Sequence, residues 1–401
     1  MLPTIKKRLR PGGLVLAALL LLCAVTLLAC TAAPSRGWSG PVVDGNILYV
    51  GTIDGQVVAL DLTEGEPDLA WAKDIGVDTG GGGFLNCGRV SQPMGIYGVP
   101  LVKDGKLYVG GYDGDVLYIR IDDGSMSDRF ETGGAIAGSL VADEDRLYVG
   151  SADGRLYALS LDLREEWSFK TGDKIWSDAV VSDGVVYIGS ADHRLYALDA
   201  ESGTEIWRFE ADGAIMSTPL VHEGTVYIGA CDRKFYAIDA TTEDERLEAA
   251  ARPAGEAAPE RDASHVFDGA GNWFWTKALA HNGEIWVGCL DHRVYCLDAV
   301  SLEKIRDYET EGMVYAPPVL VDGRIIVGSQ DGNVYSIDPE DKGVEAEILN
   351  SFDAPILAPL YPDSVNGIVY VHAQNGEHIL YAVRVASGEV VWSYRTDDID
   401  G

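Results

Sequence analysis

The chain has 401 residues, 63 acidic against 31 basic, for a formal charge of −32. That charge repels polyanions and excludes nucleic acid and anionic headgroups as natural partners; it is otherwise the mark of a solvated surface. Six cysteines with no Cys-x-x-Cys or Cys-x-x-Cys-His spacing exclude the common zinc, dithiol and haem motifs.

Residues 1–29 read as an export signal. Lys6, Lys7, Arg8 and Arg10 form a positive start, and an uncharged apolar run follows from Gly12 to Ala29. The run ends in Leu27-Leu28-Ala29-Cys30, which resembles the lipobox of bacterial lipoproteins. The resemblance implies cleavage before Cys30 and lipidation of its thiol, with residues 30–37 as a short tether. An uncleaved transmembrane anchor is the other reading, since about 18 apolar residues just span a bilayer. Either way the remainder lies outside the cytoplasm, tethered to a membrane. Removing the four basic residues of the signal takes the charge from −32 to −36.

From residue 38 onward one phrase recurs, clearest in Val185–Trp207, VVYIGSADHRLYALDAESGTEIW. Its Val/Ile-Gly pair falls at Gly51, Gly110, Gly150, Gly189, Gly229, Gly288 and Gly328, and His372 takes the eighth place. The spacing is about 40 residues, the length of a four-stranded propeller blade. Two longer intervals mark insertions, at about 76–98 (with the run Thr79–Phe84 and Cys87) and 249–272. The reading is an all-β, eight-bladed β-propeller of four-stranded antiparallel blades over 38–401, or seven blades if the degenerate unit 365–396 fails to form one.

In blade 4 the strands, lettered A to D from the axis outward, are expected at 176–181, 185–190, 194–199 and 205–210. Strand B is apolar on both faces, as burial between two blades requires. The B–C turn is Asp-Gly in blades 1, 2, 3 and 7 and Asn-Gly in blade 8, pairs suited to a type I′ hairpin. Cys231, Cys289 and Cys296 stand where other blades have Ala or Ser and read as small buried strand residues.

Two patterns single out candidate site residues. Blades 4, 5 and 6 replace Asp-Gly by Asp192-His193-Arg194, Asp232-Arg233-Lys234 and Asp291-His292-Arg293. His193, Arg194, Arg233, Lys234, His292 and Arg293 would form one basic sector, paired locally to the three aspartates or free to dock an acidic partner. The B–C turns share a face with the D–A crossovers, and both insertions are expected to be crossovers on that face. Second, one large residue per blade precedes strand A: Trp38, Tyr97, Ile136, Trp176, Met216, Trp275, Tyr315 and Ile356. These make a ring near the axis, either inter-blade packing or the mouth of a funnel for a planar molecule or inserted peptide. No metal cluster and no Ser-His-Asp or paired-carboxylate set stands out.

The stretch Ala197-Leu198-Asp199-Ala200-Glu201-Ser202-Gly203-Thr204-Glu205-Ile206-Trp207 resembles the tryptophan-docking repeat of quinoprotein-like propellers, over about residues 38–396. The resemblance implies a Trp wedged between blades, recurring here as Trp71, Trp167, Trp207 and Trp392. The family includes pyrroloquinoline-quinone (PQQ) dehydrogenases and non-catalytic relatives such as the barrel-assembly lipoprotein BamB. The dehydrogenases hold the quinone between a Trp and a vicinal disulfide, with Ca²⁺ beside a catalytic Asp; this chain has no adjacent cysteine pair. The expected function is a non-catalytic, monomeric envelope scaffold that binds proteins or peptides and needs no cofactor. A BamB-like role in outer-membrane protein assembly, a PQQ- and Ca²⁺-dependent dehydrogenase, and a small-ligand-binding propeller are the alternatives.

Overall fold

A computed structural model describes residues 39–52, 55–76, 95–253, 255–341, 345–373 and 379–395. The signal, Cys30, the tether, Trp38, the run Thr79–Phe84, Cys87 and the Asn375-Gly376 turn lie outside them. The described chain forms eight four-stranded antiparallel blades, one of which gains a fifth strand, with residues 42–74, 101–131, 141–170, 180–210, 220–267, 279–309, 319–351 and 361–394 as blades 1 to 8. Each blade is a continuous segment, and the last unit is a full blade. One short helix, α1 (Glu243–Ala250), is the only α-helix among the described residues.

Apolar side chains are buried mainly at the seams between blades. In strand B of blade 4 (Val185–Gly189) every residue is buried. Tyr148, Leu156 and Ala158 of blade 3 pack with Val186, Ile188 and Leu198 of blade 4. Blade 8 meets blade 1 in the same way: Tyr370, Leu380 and Trp392 join Leu48, Val50 and Leu60.

The repeated glycine that ends strand B is where the seam is tightest. A Cβ on Gly51 would lie 2.7 Å from Ile96 Cγ2, and one on Gly110 would lie 2.7 Å from Ile136 Cγ2. Gly189 faces Ile215, and Gly328 faces Ile356, in the same relation. Each glycine is thus a hole filled by a fully buried residue leading into the next blade. At the closing seam the hole is filled from its own side. His372 is buried, and its Nδ1 lies 2.5 Å from the Ser39 carbonyl oxygen.

The docking tryptophans pin the opposite side of the seams. Trp167 of blade 3 donates to the Ala200 carbonyl of blade 4 at 3.1 Å. A Cβ on Gly203, which turns at φ +69°, would touch Trp167 Cε3 at 2.5 Å, so glycine is needed there for both reasons.

The structure corrects three expectations. Strand A of blade 4 is only Val180–Ser182; residues 176–179 leave the ladder and bond to neighbouring blades, as Asp178 N–H does to Thr218 Oγ1. The described B–C turns, those of blades 2 to 7, are not type I′. The Gly154 N–H closes a turn on the Ser151 carbonyl, the Ser151 N–H donates to the Arg155 carbonyl, and Gly154 has positive φ while Asp153 does not. One left-handed residue after a tight turn is the bulged hairpin, not the two-residue one.

The third correction moves the second insertion to the other face. It lies between strands C (Phe235–Asp239) and D (His265–Phe267) of blade 5 and is not a D–A crossover. It opens with α1, capped by Thr242 and Glu245 in a reciprocal capping box. It then lays Glu260–Arg261 parallel to Glu205–Glu210 of blade 4 as a fifth strand. Arg252 donates to the Glu205 and Ile206 carbonyls, and the Arg261 guanidinium sits 4.7 Å over the Trp207 ring. The insertion therefore covers the open edge of blade 4.

Two outcomes test this account. Gly189→Ala overpacks the Ile215 seam and should cost about 1–3 kcal/mol in urea unfolding; adding Ile215→Ala should recover part of that loss, and an additive double mutant would contradict the seam. Burial pushes the His372 imidazole below its usual range, against the opposing pull of the Ser39 carbonyl. The unfolded chain therefore takes up the proton first, and stability should fall as pH drops below about 6.5. In His372→Gln that part of the pH slope should vanish.

Candidate functional site

The crossover face is organised by an aspartate in the B–C turns of blades 3 to 7. In blade 4 Asp192 Oδ2 accepts from the Tyr196 hydroxyl at 2.6 Å and from the Gly172 N–H of the preceding crossover at 2.6 Å, while Oδ1 accepts the Arg194 N–H at 3.0 Å. Asp153 with Tyr157 and Gly133 repeats this in blade 3, Asp232 with Tyr236 and Asp212 in blade 5, and Asp291 with Tyr295 and Gly271 in blade 6. Burial works to raise the Asp153 carboxyl. The Tyr157 hydroxyl and the Arg155 and Gly133 N–H groups outweigh it and hold Asp153 below the usual carboxylate range. Burial first, and then Asp153, push the Tyr157 hydroxyl up to about 12. The clamp was legible as Asp-x-x-x-Tyr in five blades, a spacing the sequence reading passed over.

The three aspartates being engaged, the basic sector pairs elsewhere. Arg194 meets Glu210 at 2.7 Å, Lys234 meets Asp212 at 2.6 Å, and Arg293 bonds Asp307 and Glu309. His193, Arg233 and His292 differ from these. They hold the left-handed position, at φ 75°, 72° and 68°, where blades 1, 2, 3 and 7 have glycine. All three are exposed, and their side chains make no hydrogen bond or ion pair with any described residue. The sector thus resolves into three paired cations and three strained, outward side chains on consecutive blades.

The ring before strand A is partly as expected. Tyr97, Trp176, Met216, Trp275 and Tyr315 line a cavity of about 210 Å³ on the axis. Ile136 and Ile356 do not; they are fully buried seam residues, and Ala137 and Leu357 face the cavity instead. Buried and channel-facing residues alternate here, so a shift of one residue changes the side. Trp176 and Trp275 have ring centroids 6.5 Å apart, as do Trp275 and Tyr315. On the same face Tyr112 is 40% exposed and packs tilted against Tyr97 with ring centroids 4.8 Å apart, and Trp273 is 45% exposed.

The cavity does not fit a calcium–quinone pair. Asp178 is the single carboxylate among its described lining residues, whereas Ca²⁺ takes six to eight oxygen ligands. Among the described residues no group of three or more His, Cys, Asp or Glu could hold a metal. The described cysteines form no disulfide. Cys289 and Cys296 are buried strand residues, whereas Cys231 is half-buried in a turn. Cys289 Sγ lies 3.3 Å from the Asn272 and Trp273 carbonyls, the place where Ser190 Oγ meets the Asp173 and Lys174 carbonyls in blade 4. Burial pushes the Cys289 thiol far up, which leaves it unreactive.

The family model described as "Outer membrane protein assembly factor BamB" matches residues 88–177, 170–270 and 243–399. The chain belongs to this family. BamB of Alkalilimnicola ehrlichii is 30% identical over 124 residues, 31% of this chain and 30% of that protein. BamB of Kangiella koreensis is 24% identical over 131 residues, 33% of this chain and 31% of that protein. The aligned region thus spans just under a third of each of these BamB relatives. The BamB crystal structure from Moraxella catarrhalis superposes with a TM-score of 0.64 at 15% identity, over 85% of this chain and 95% of that one. The computationally designed Ika8 protein does so at 0.66 and 16%, over 87% and 96%. At those identities the two structures speak for the fold alone. A BamB-type PQQ-like propeller is therefore the family and the architecture of this chain.

Left-handed backbone at a residue with a Cβ costs about 1–2 kcal/mol. Replacing His193, Arg233 or His292 singly by glycine should raise the unfolding free energy by about 1 kcal/mol. A lowered urea midpoint would mean that these side chains hold their turns through contacts of their own.

Proposed function

We propose that the protein is a non-catalytic scaffold of the cell envelope, tethered through a lipid on Cys30, that serves outer-membrane protein assembly by docking an envelope protein on its crossover face. The observation that carries the reading is the family match over most of the chain, to a family described as an assembly factor. The docking site is the face of blades 4 to 6, where His193, Arg233 and His292 stand exposed and strained. Bulky side chains kept in an unfavourable backbone region, where glycine serves in sister blades, are a cost that a fold retains for a use. With a surface this acidic, an unpaired Arg233 favours an acidic patch on the partner and speeds encounter with it. No helix among the described residues is long and apolar enough to cross a membrane.

A photo-crosslinking amino acid at 193, 233 or 292, in cells of the source organism, should capture a discrete envelope protein, and the same probe at Val365 on blade 8 should not. Arg233→Asp should weaken capture at least several-fold without loss of folded protein. Equal capture from both positions would remove the docking face. Titration with PQQ should show no Ca²⁺-dependent binding; saturable one-to-one binding at micromolar affinity that requires Ca²⁺ would reverse the non-catalytic reading.

A further inference from the structure

Below the aromatic ring a second ring, two residues further along each blade, lines the same cavity. It holds Val99, Thr218, Pro317 and Pro359, and two charges, Asp178 on blade 4 and Lys277 on blade 6. Asp178 has a structural task. Its Oδ1 accepts the Ser139 N–H of blade 3 at 2.6 Å, and its own N–H donates to Thr218 of blade 5. Lys277 has none. It makes no hydrogen bond or ion pair with any described residue, and its side chain is exposed to the channel. Neighbouring blades place Thr218 or Pro317 at the same height, so the fold does not require an ammonium there. Asp178 does not cancel it by contact, since no ion pair joins the two. Burial also holds the Asp178 carboxyl above its ordinary range, against the Ser139 N–H, the Lys277 charge and Thr218.

An unpaired cation under the half-buried rings of Trp176, Trp275 and Tyr315 is a recognition set with one anionic and one planar requirement. We infer that the axial cavity binds a single aromatic carboxylate, its ring against the Trp176–Trp275–Tyr315 arc and its carboxylate on Lys277. Met216, between the two tryptophans in blade order, supplies an adaptable wall. A cavity of about 210 Å³ suits one aromatic residue. The ligand is then a free aromatic acid or the C-terminal residue of a polypeptide, the one residue whose backbone carries a carboxylate. The second source rests on the docking reading above; the first does not.

The test is calorimetric titration of the detergent-solubilised full-length protein with N-acetyltryptophan, N-acetyltryptophanamide, and the peptide Gly-Ser-Gly-Ser-Trp with a free or amidated end. The free acids should bind one-to-one, and the amides about tenfold more weakly, the loss of one charge-assisted contact. Lys277→Met, with an unchanged circular dichroism spectrum and urea midpoint, should erase the difference between acid and amide. Trp275→Leu should weaken both. No binding of either acid at millimolar concentration, equal binding of acid and amide, or a preference that survives in Lys277→Met overturns the proposal. Binding of N-acetyltryptophan alone assigns a free acid; binding of the free-ended peptide as well assigns a chain end. If the crosslinking fails while N-acetyltryptophan binds, the cavity site stands without the docking face.

Discussion

The structure depends on how closely one sheet can approach the next. Packed sheets ordinarily sit about 10 Å apart, and here seven of the eight seams are set by a residue with no side chain facing one with a branched or aromatic side chain. Gly51 receives Ile96, Gly110 receives Ile136, and the pairing continues through Gly328 and Ile356. Strands B and C can be apolar on both faces because this contact leaves no room for water. Function follows from the rigidity: once the seams fix the blades, the turns at either end are free to differ.

The seam between blades 3 and 4 is held at two further heights by groups of different chemistry. On the crossover face an aspartate gathers a tyrosine hydroxyl and a backbone N–H from the preceding crossover. On the opposite side a tryptophan indole donates to the next blade's C–D turn. Because the aspartates are occupied in this way, the basic residues after them pair with strand D or the preceding crossover, or remain unpaired. That division leaves His193, Arg233 and His292 outward, and it could be seen only once the partners of Asp192, Asp232 and Asp291 were known.

The repeat made the blade count and the docking tryptophans legible, since a 40-residue period with Val/Ile-Gly and Trp at fixed places has few other structural meanings. What escaped the sequence has local causes. The D strand of blade 5, His265–Phe267, has three residues and no tryptophan, so the insertion before it was mistaken for one after it. The Thr242-to-Glu245 capping box that opens α1 was visible but unused. The axial ring slipped by one at Ile136 and Ile356 because alternation along an extended segment gives two apolar candidates per blade, and only packing distinguishes them. Lys277 carried no signal, being one lysine among many until the channel set it apart from Thr218 and Pro317.

The closing seam departs from the others. Where seven blades end strand B in glycine, blade 8 has His372, buried against the Ser39 carbonyl. In sequence, the position that Ile175 fills ahead of blade 4 is Gly37 ahead of blade 1. In the repeat alignment, large and small have thus changed places at this one junction. A blade that ends in His372 offers no hole for another isoleucine, so it cannot accept blade 2, a blade from a second copy, or a ninth repeat in the manner of its sisters. Head-to-tail contacts that fail to close generate open chains of molecules, and near-identical repeats invite that error. The inverted junction works as a terminator: it lets the ring count to eight and stop.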